Sequence, residues 1–144
     1  MTNRPIIFRG QRKSDDIWVY GYLTRCGDEY FITSDEHSIT LNDKLYAVKD
    51  KLYAVKPKTI GQFVGLTDIN GVEIFENDII VKHIDRKRKK QVVGLVFYSD
   101  YRCGFYIRTF GDDFEEFCAE AEYEVIGNAT NNLPAYLITP PKRD

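Results

Sequence analysis

The chain of 144 residues carries 20 Lys and Arg against 22 Asp and Glu, a formal net charge of −2, with 43% hydrophobic and 29% charged residues. That length suits one compact domain, or a small domain with an appendage, and excludes an enzyme with separate cofactor and substrate halves. The composition excludes a disordered or collagen-like chain, and the near-neutral balance excludes recognition of polyanions through the overall field.

Ten Tyr, nine Phe and one Trp, against a single Met and two His, favour pleated sheet over helix. No run of eighteen apolar residues occurs, and the opening apolar stretch at 5–8 is too short for a signal-peptide core. No membrane association is expected. Cys26, Cys103 and Cys118 match neither a disulfide framework nor a zinc ribbon, which points to a reducing cytoplasm.

Residues 6–10 form a short apolar stretch, 13–16 a polar turn and 17–23 (IWVYGYL) an aromatic, β-branched run, the pattern of a hairpin. A second turn at 26–29 includes Gly27, and 30–33 supplies a third strand, so the first third reads as a β-meander. DKLYAVK at 43–49 then recurs unchanged at 50–56. A seven-residue shift reverses the face of every side chain on a strand but is nearly two turns of a helix. As a helix the segment aligns Leu45, Val48, Leu52 and Val55 in one stripe, the pattern of a dimer seam. Its Tyr and Val content disfavours an isolated helix of that length. The favoured reading makes one copy a strand and the other a loop or hairpin partner, a local duplication tolerated at a surface segment.

Pro57 closes that segment, and residues 59–78 read as strand, turn, strand with Asn70-Gly71 as the turn dipeptide. Residues 79–84 form the next strand, 85–91 a charged connection, and 92–98 (VVGLVFY) a strong strand that should pair back on it. Residues 102–104 turn, 105–110 form another strand and 111–113 turn again. Residues 114–122, rich in Glu and Ala, have room for a helical turn before a strand at 123–126. Asn132 followed by Leu133 and Pro134 suggests a cap and a short C-terminal helix through Leu137, with a tail at 139–144. Strands at this spacing without βαβ alternation imply a mainly β sandwich or small barrel.

The block at 59–80, TIGQFVGLTDINGVEIFENDII, resembles the signature of the YopX-like family of phage and prophage proteins, which commonly reads T-[IV]-G-Q and then G-L-x-D-x-N-G-x-x-I-[FY]-E-G-D-I-[IV]. The match falls on Gly61, Gln62, Gly65, Leu66, Asp68, Asn70, Gly71, Ile74, Phe75, Glu76, Asp78 and Ile79. The opening IIFRG at 6–10, WVYGYL at 18–23, and EVIGN at 124–128 with Asn132, Pro134 and Leu137 agree with it. Asn77 departs from the family's Gly, yet Asn tolerates positive φ better than other non-Gly residues. Asn131 to Pro134 resembles the family's Asn-Pro ending with residues inserted, and the duplication is a further departure. The resemblance implies an SH3-like β-barrel in the C-terminal two-thirds (59–138), an N-terminal β region (1–58), and an origin in a bacterial mobile element. It implies no settled activity.

The glycines of the signature lack the Lys-Ser/Thr and the following helix of a phosphate cradle, and are read as turns and bulges. Glu76 and Asp78 could face one side as an acid/base or metal pair, but an Asp there more often anchors a loop by accepting backbone N–H groups. His37 and His83 lack partners at ligand spacing, no Cys has an evident general base, and Cys118 reads as a small core residue. No catalytic residue, metal or cofactor is therefore expected.

Lys82, Arg86, Lys87, Arg88, Lys89 and Lys90 form the sharpest local feature. They read as a solvated hairpin tip that blunts an edge, or as a finger on nucleic-acid phosphates. Residues 112–124 hold seven acids and no base, and whether they share a face with the cations decides between these. The expected function is a non-enzymatic interaction module with a protein partner or self-association, with nucleic-acid binding through 82–90 as the alternative and a cryptic enzyme using Glu76, Asp78 or a Cys as a distant third.

Overall fold

The computed structural model describes residues 4–33, 38–41, 44–47, 52–109 and 113–132. Its chain divides into two compact units, residues 1–63 and 64–144. It is mainly β, and none of its described helices is long and apolar enough to cross a membrane.

The first unit holds β1 (Phe8–Gln11), β2 (Trp18–Cys26), β3 (Glu29–Thr33), β4 (Ser38–Leu41), β5 (Lys44–Ala47) and β6 (Leu52–Val55). β1, β2 and β3 pair antiparallel as the expected meander, and β6 adds to β3 with Tyr30 opposite Val55 and Thr33 opposite Leu52. The first turn is fixed by Asp15, whose carboxylate takes Arg12 Nε at 2.8 Å and the Ile17 N–H at 3.2 Å. The sheet then curls back on itself. Arg12 bridges to Val55, Lys13 N–H donates to the Ala54 carbonyl, and Lys56 N–H donates to the Gln11 carbonyl, the last two at 2.9 Å. Inside the curl Ile32 and Val55 are fully buried, and a Cβ on Gly10 would sit 3.1 Å from Val55 Cβ.

Both copies of the heptapeptide contribute strands. The second supplies β6, and the first supplies β5, which pairs antiparallel with β4. This is the strand-plus-hairpin reading, and the helical stripe is overturned. Tyr, Val and Leu fit a pleated, half-buried surface better than a helix, and β3 has an edge that β6 satisfies. Val48 lies outside the described residues. Pro57–Thr59 forms one 3-10 turn, after which the strand expected from 59 begins only at Gly61. Thr59 is buried instead of strand-paired: its hydroxyl donates to the Lys56 carbonyl at 2.7 Å and accepts the Gln11 N–H at 2.8 Å.

β7 (Gly61–Thr67) begins beside β1 and carries the chain into the second unit. There follow β8 (Glu73–Phe75), β9 (Asp78–Asp85), β10 (Lys90–Ser99), β11 (Gly104–Thr109), β12 (Phe114–Glu116), β13 (Glu122–Asn128) and α1 (Ala129–Asn132). The last five strands form an antiparallel sheet in the order β12-β11-β10-β9-β13. Among the described residues no pairing joins β12 to β13, so the sheet is open. One face supplies the core, Ile74, Ile80, Val96, Ile107 and Tyr123, with Val64, Leu66, Phe117, Ala121 and Val125 packed against it. Each fully buried Ile or Val of this core contributes about 1.5–3 kcal/mol on burial.

One expectation for this unit is corrected. Residues 114–116 are strand and not helix, because Phe114, Glu115 and Glu116 pair with Arg108, Ile107 and Tyr106 as β12; before β13 there is a single turn closed by the Ala121 N–H donating to the Cys118 carbonyl at 3.1 Å. A short helix, α1, stands at Ala129–Asn132, so Asn132 lies within it, while the helix expected from Leu133 through Leu137 falls outside the described residues. Asn128 caps α1, its Oδ1 accepting the Asn131 N–H at 2.9 Å, which satisfies an otherwise orphaned first-turn donor. Residues 133–144, including the tail, lie outside the described residues.

Candidate functional site

The basic run sits on the β9–β10 hairpin, and Asp85 shapes it. Its Oδ1 accepts the N–H groups of Lys87 at 3.0 Å and Arg88 at 3.3 Å, while Lys89 turns the chain with φ 53°. Five successive cations thus occupy a tip that leaves the core, and the Arg88 side chain is 86% exposed.

The sheet order brings acids to the same place. β13 pairs with β9 on the side opposite β10, which sets Glu122 across from His83 and Glu124 across from Val81. Arg86 Nε donates to Glu122 Oε2 at 2.5 Å, and His83 Nε2 lies 3.7 Å from Glu124 Oε2. Lys82 points to the other face, where its Nζ lies 3.4 Å from Glu115 Oε2 of β12. An open groove of about 410 Å³ at the base of the hairpin is lined by His83, Asp85, Arg86, Lys87, Glu120 and Glu122, among others. Around the six cations therefore stand Asp85, Glu115, Glu120, Glu122 and Glu124. Lys87, Lys89 and Lys90 have no ion pair among the described residues. Counter-charge so close cancels most of the field a phosphate would feel beyond a Debye length.

The signature block is built as two carboxylate-pinned turns. Asp68 is buried, and it holds the turn between β7 and β8. Its Oδ1 accepts the N–H groups of Asn70 at 2.8 Å and Val72 at 2.9 Å, and its Oδ2 accepts the Val125 N–H at 2.9 Å. Burial raises the Asp68 pKa, but the three N–H donors outweigh it and hold the carboxyl below its ordinary value. Asp78, 1% exposed, holds the turn between β8 and β9 by accepting the Phe75 N–H at 2.8 Å. Between them Gly71 takes φ 80° and Asn77 φ 70°, so Asn does occupy the left-handed position where the family signature has Gly. The Asn77 N–H donates to the Val96 carbonyl at 2.8 Å, which binds this turn to β10.

The sequence profile of the family described as YopX protein matches residues 7–134. The chain belongs to the YopX family. No curated protein matches it.

In this YopX-family chain the remaining chemical candidates are dispersed. Asp78 is the loop anchor that the sequence favoured over an acid/base partner, and Glu76 stands half-buried beside it in the turn. Cys26, Cys103 and Cys118 are all exposed, which corrects the core assignment of Cys118. After β12 the chain turns so that Phe117 faces inward, stacking edge-on at 5.5 Å with Tyr123, and Cys118 faces out. The Cys118 N–H donates to Tyr123 Oη at 2.9 Å. His37 lies outside the described residues.

An aromatic surface that the sequence reading did not single out lies on the sheet face opposite Val96 and Ile107. Phe97 of β10 pairs with Tyr106 of β11, and Phe114 of β12 lies on the same face. The Phe97 ring is 5.3 Å from that of Phe114 and 6.5 Å from that of Tyr106. The guanidinium of Arg102 lies over two of these rings, 5.4 Å from Tyr106 and 6.0 Å from Phe114. Phe114 is 45% exposed, and Tyr101 at the adjoining tip is 95% exposed. The signal was present in residues 92–98, where apolar residues fill both parities of the strand, so both faces carry apolar surface.

Proposed function

We propose that this YopX-family chain is a non-enzymatic interaction module of a phage or other mobile genetic element, acting in the cytoplasm of a bacterial host. It binds a protein partner, or a second copy of itself, through the aromatic face of β10, β11 and β12. The observation that carries this reading is the cluster of Phe97, Tyr106 and Phe114 with Arg102 laid across it. Aromatic residues and arginine dominate the energetics of protein interfaces, and a ring-stacked guanidinium is already ordered before a partner arrives. Asp78, the carboxylate that an acid/base pair with Glu76 would need, is engaged in holding a backbone turn, as is the buried Asp68, which favours binding over catalysis. To residues 59–138 we assign an SH3-like small barrel in an open form. Short antiparallel strands around one core that includes Val64 and Leu66 of β7 support that assignment.

A second reading is nucleic-acid binding through Lys82, Arg86, Lys87, Arg88, Lys89 and Lys90, favoured by the exposed tip at Arg88. Photo-cross-linking separates the two. With benzoylphenylalanine in place of Phe114, a discrete protein adduct in host cells that is lost on Arg102→Ala supports the protein interface. No adduct, or one destroyed by nuclease, overturns it. Steeply salt-dependent binding of short DNA or RNA, abolished when residues 86–90 are all changed to Ala, establishes the second reading instead.

A further inference from the structure

The position beside β3 is filled by Leu52–Val55 of the second DKLYAVK copy, while Lys44–Ala47 of the first pairs with β4. The two copies are identical over seven residues. We infer that the β6 position is exchangeable: either copy can pair with β3, so the first unit interconverts between two strand registers seven residues apart.

In the exchanged register Leu45, Tyr46, Ala47 and Val48 stand opposite Thr33, Ile32, Phe31 and Tyr30, where Leu52, Tyr53, Ala54 and Val55 now stand. A shift by seven reverses the faces of a continuous strand. Replacing one copy by the other avoids this, since each copy enters the position with its own Leu at the first place and its own Val at the last. The buried Val against Gly10 and Ile32 and the bridge to Arg12 are then remade by chemically identical residues. Sequence-encoded preference between the two registers at the strand itself is zero. What distinguishes them lies outside it.

Three terms set the balance. The connection from β3 shortens from eighteen residues (34–51) to eleven (34–44), which favours the first copy about twofold in loop closure. The β4–β5 pairing is given up, a small loss because an isolated two-stranded ribbon is marginal in water. Against the first copy stands the 3-10 turn: the Lys56 carbonyl accepts the Thr59 N–H at 3.0 Å and the Thr59 hydroxyl at 2.7 Å. In the exchanged register residues 50–56 must loop out before Pro57, so the second copy holds the position in the ground state and the first is its replacement.

The test places a charge where the position is buried. Val55→Asp puts a carboxylate at a site with 0% exposure, and in a chain lacking residues 43–49 it should unfold the first unit. In the full chain the same substitution should leave that unit folded, because Val48 takes over. The reporter is Trp18, the one tryptophan of the chain, which lies on β2 with the Arg9 guanidinium 4.8 Å from its ring. Hydrogen exchange at the β3 amides gives a second readout. The expected pattern is a cooperative Trp18 transition retained in Val48→Asp and in Val55→Asp, and lost in the double variant. A Val55→Asp chain as unfolded as the double variant overturns the exchange. So does a double variant that stays folded, since the position would then need neither copy.

Discussion

Replacing Asp68 by Asn tests whether the signature carboxylate is structural, since it changes charge and one acceptor while keeping shape. In the native chain the carboxylate accepts three backbone N–H groups, two from its own turn and one from Val125 on β13. Asn70 and Val72 are exposed, so water replaces much of what their N–H groups lose, and Oδ1 still accepts from them. At Oδ2 the amide places an NH₂ group against the Val125 N–H, donor against donor. Losing a charge-assisted bond and stranding a half-buried donor costs about 2 kcal/mol, and weakening the other two brings the total to about 3 kcal/mol. At a urea dependence of about 1.5 kcal/mol/M, the unfolding midpoint falls by about 2 M. The pH dependence has a definite sign. Because the folded Asp68 pKa lies below its ordinary 3.8, its contribution is complete above that value and is lost as pH falls through the folded pKa. The gap between native and Asp68→Asn midpoints should therefore be full at pH 7 and shrink in more acidic urea titrations followed by far-ultraviolet circular dichroism. Faster hydrogen exchange at Val125 locates the damage. A midpoint unchanged at pH 7, or a gap that widens with acid, would mean that the Asp68 carboxylate does not anchor this turn.

Gly94→Ala should cost about 2 kcal/mol by urea unfolding, since its Cβ would lie 2.3 Å from Ile107 Cγ2 in the core; Gly104→Ala, whose Cβ meets Tyr106 Cε2 at 3.5 Å, should change the midpoint little. Asn77→Ala should destabilise by about 1–2 kcal/mol because an Ala at φ 70° is strained, whereas Asn77→Gly should lose nothing; equal losses would mean the Asn side chain, not its backbone, matters. The Arg12 side-chain hydrogen bond lowers the Asp15 carboxyl to about 2, and a carbon-13 titration of Asp15 should return towards the ordinary 3.8 in Arg12→Ala.

Turns were the most legible part of the fold in the sequence, because their residues act locally. Asn70-Gly71, the polar residues at 13–16 and the Gly27 turn need no distant partner to specify a reversal, and all three close hairpins here. The segment at 114–122 misled for the opposite reason. Its Glu and Ala content favours helix locally, but Phe114, Glu115 and Glu116 face the unpaired groups of β11, and satisfying those groups outweighs propensity. At the C-terminus Asn128 and Asn132 are equally good caps by composition, and only the end of β13 decides that α1 starts after Asn128.

The candidate site was legible in its residues but not in its pairing. From sequence the basic run and the acidic run are separate patches, and their relation depends on which strand flanks β9. The order β10-β9-β13 puts Glu122 and Glu124 beside the hairpin, a non-local choice that no local pattern in residues 82–90 or 112–124 encodes. Asp68 shows the same limit, since its turn donors were within reach of sequence reasoning and Val125, fifty-seven residues away, was not.

These pairings also leave the charged groups poorly placed to bind a ligand. A carboxylate that accepts three backbone N–H groups, or a guanidinium 2.5 Å from a glutamate, has already exchanged its hydration for a protein partner. Recruiting it to a ligand means breaking that contact first, at the cost of an unsatisfied group. Phe97, Tyr106 and Phe114 have no such prior commitment on their solvent side. Covering them removes apolar area from water without breaking anything, and Arg102 keeps its ring contacts as it does so. On this surface the favourable change on binding is therefore apolar burial, and association should weaken little as salt rises. The tip at 87–90 would behave in the opposite way, which makes the salt dependence of binding the property that assigns function to one end of the sheet or the other.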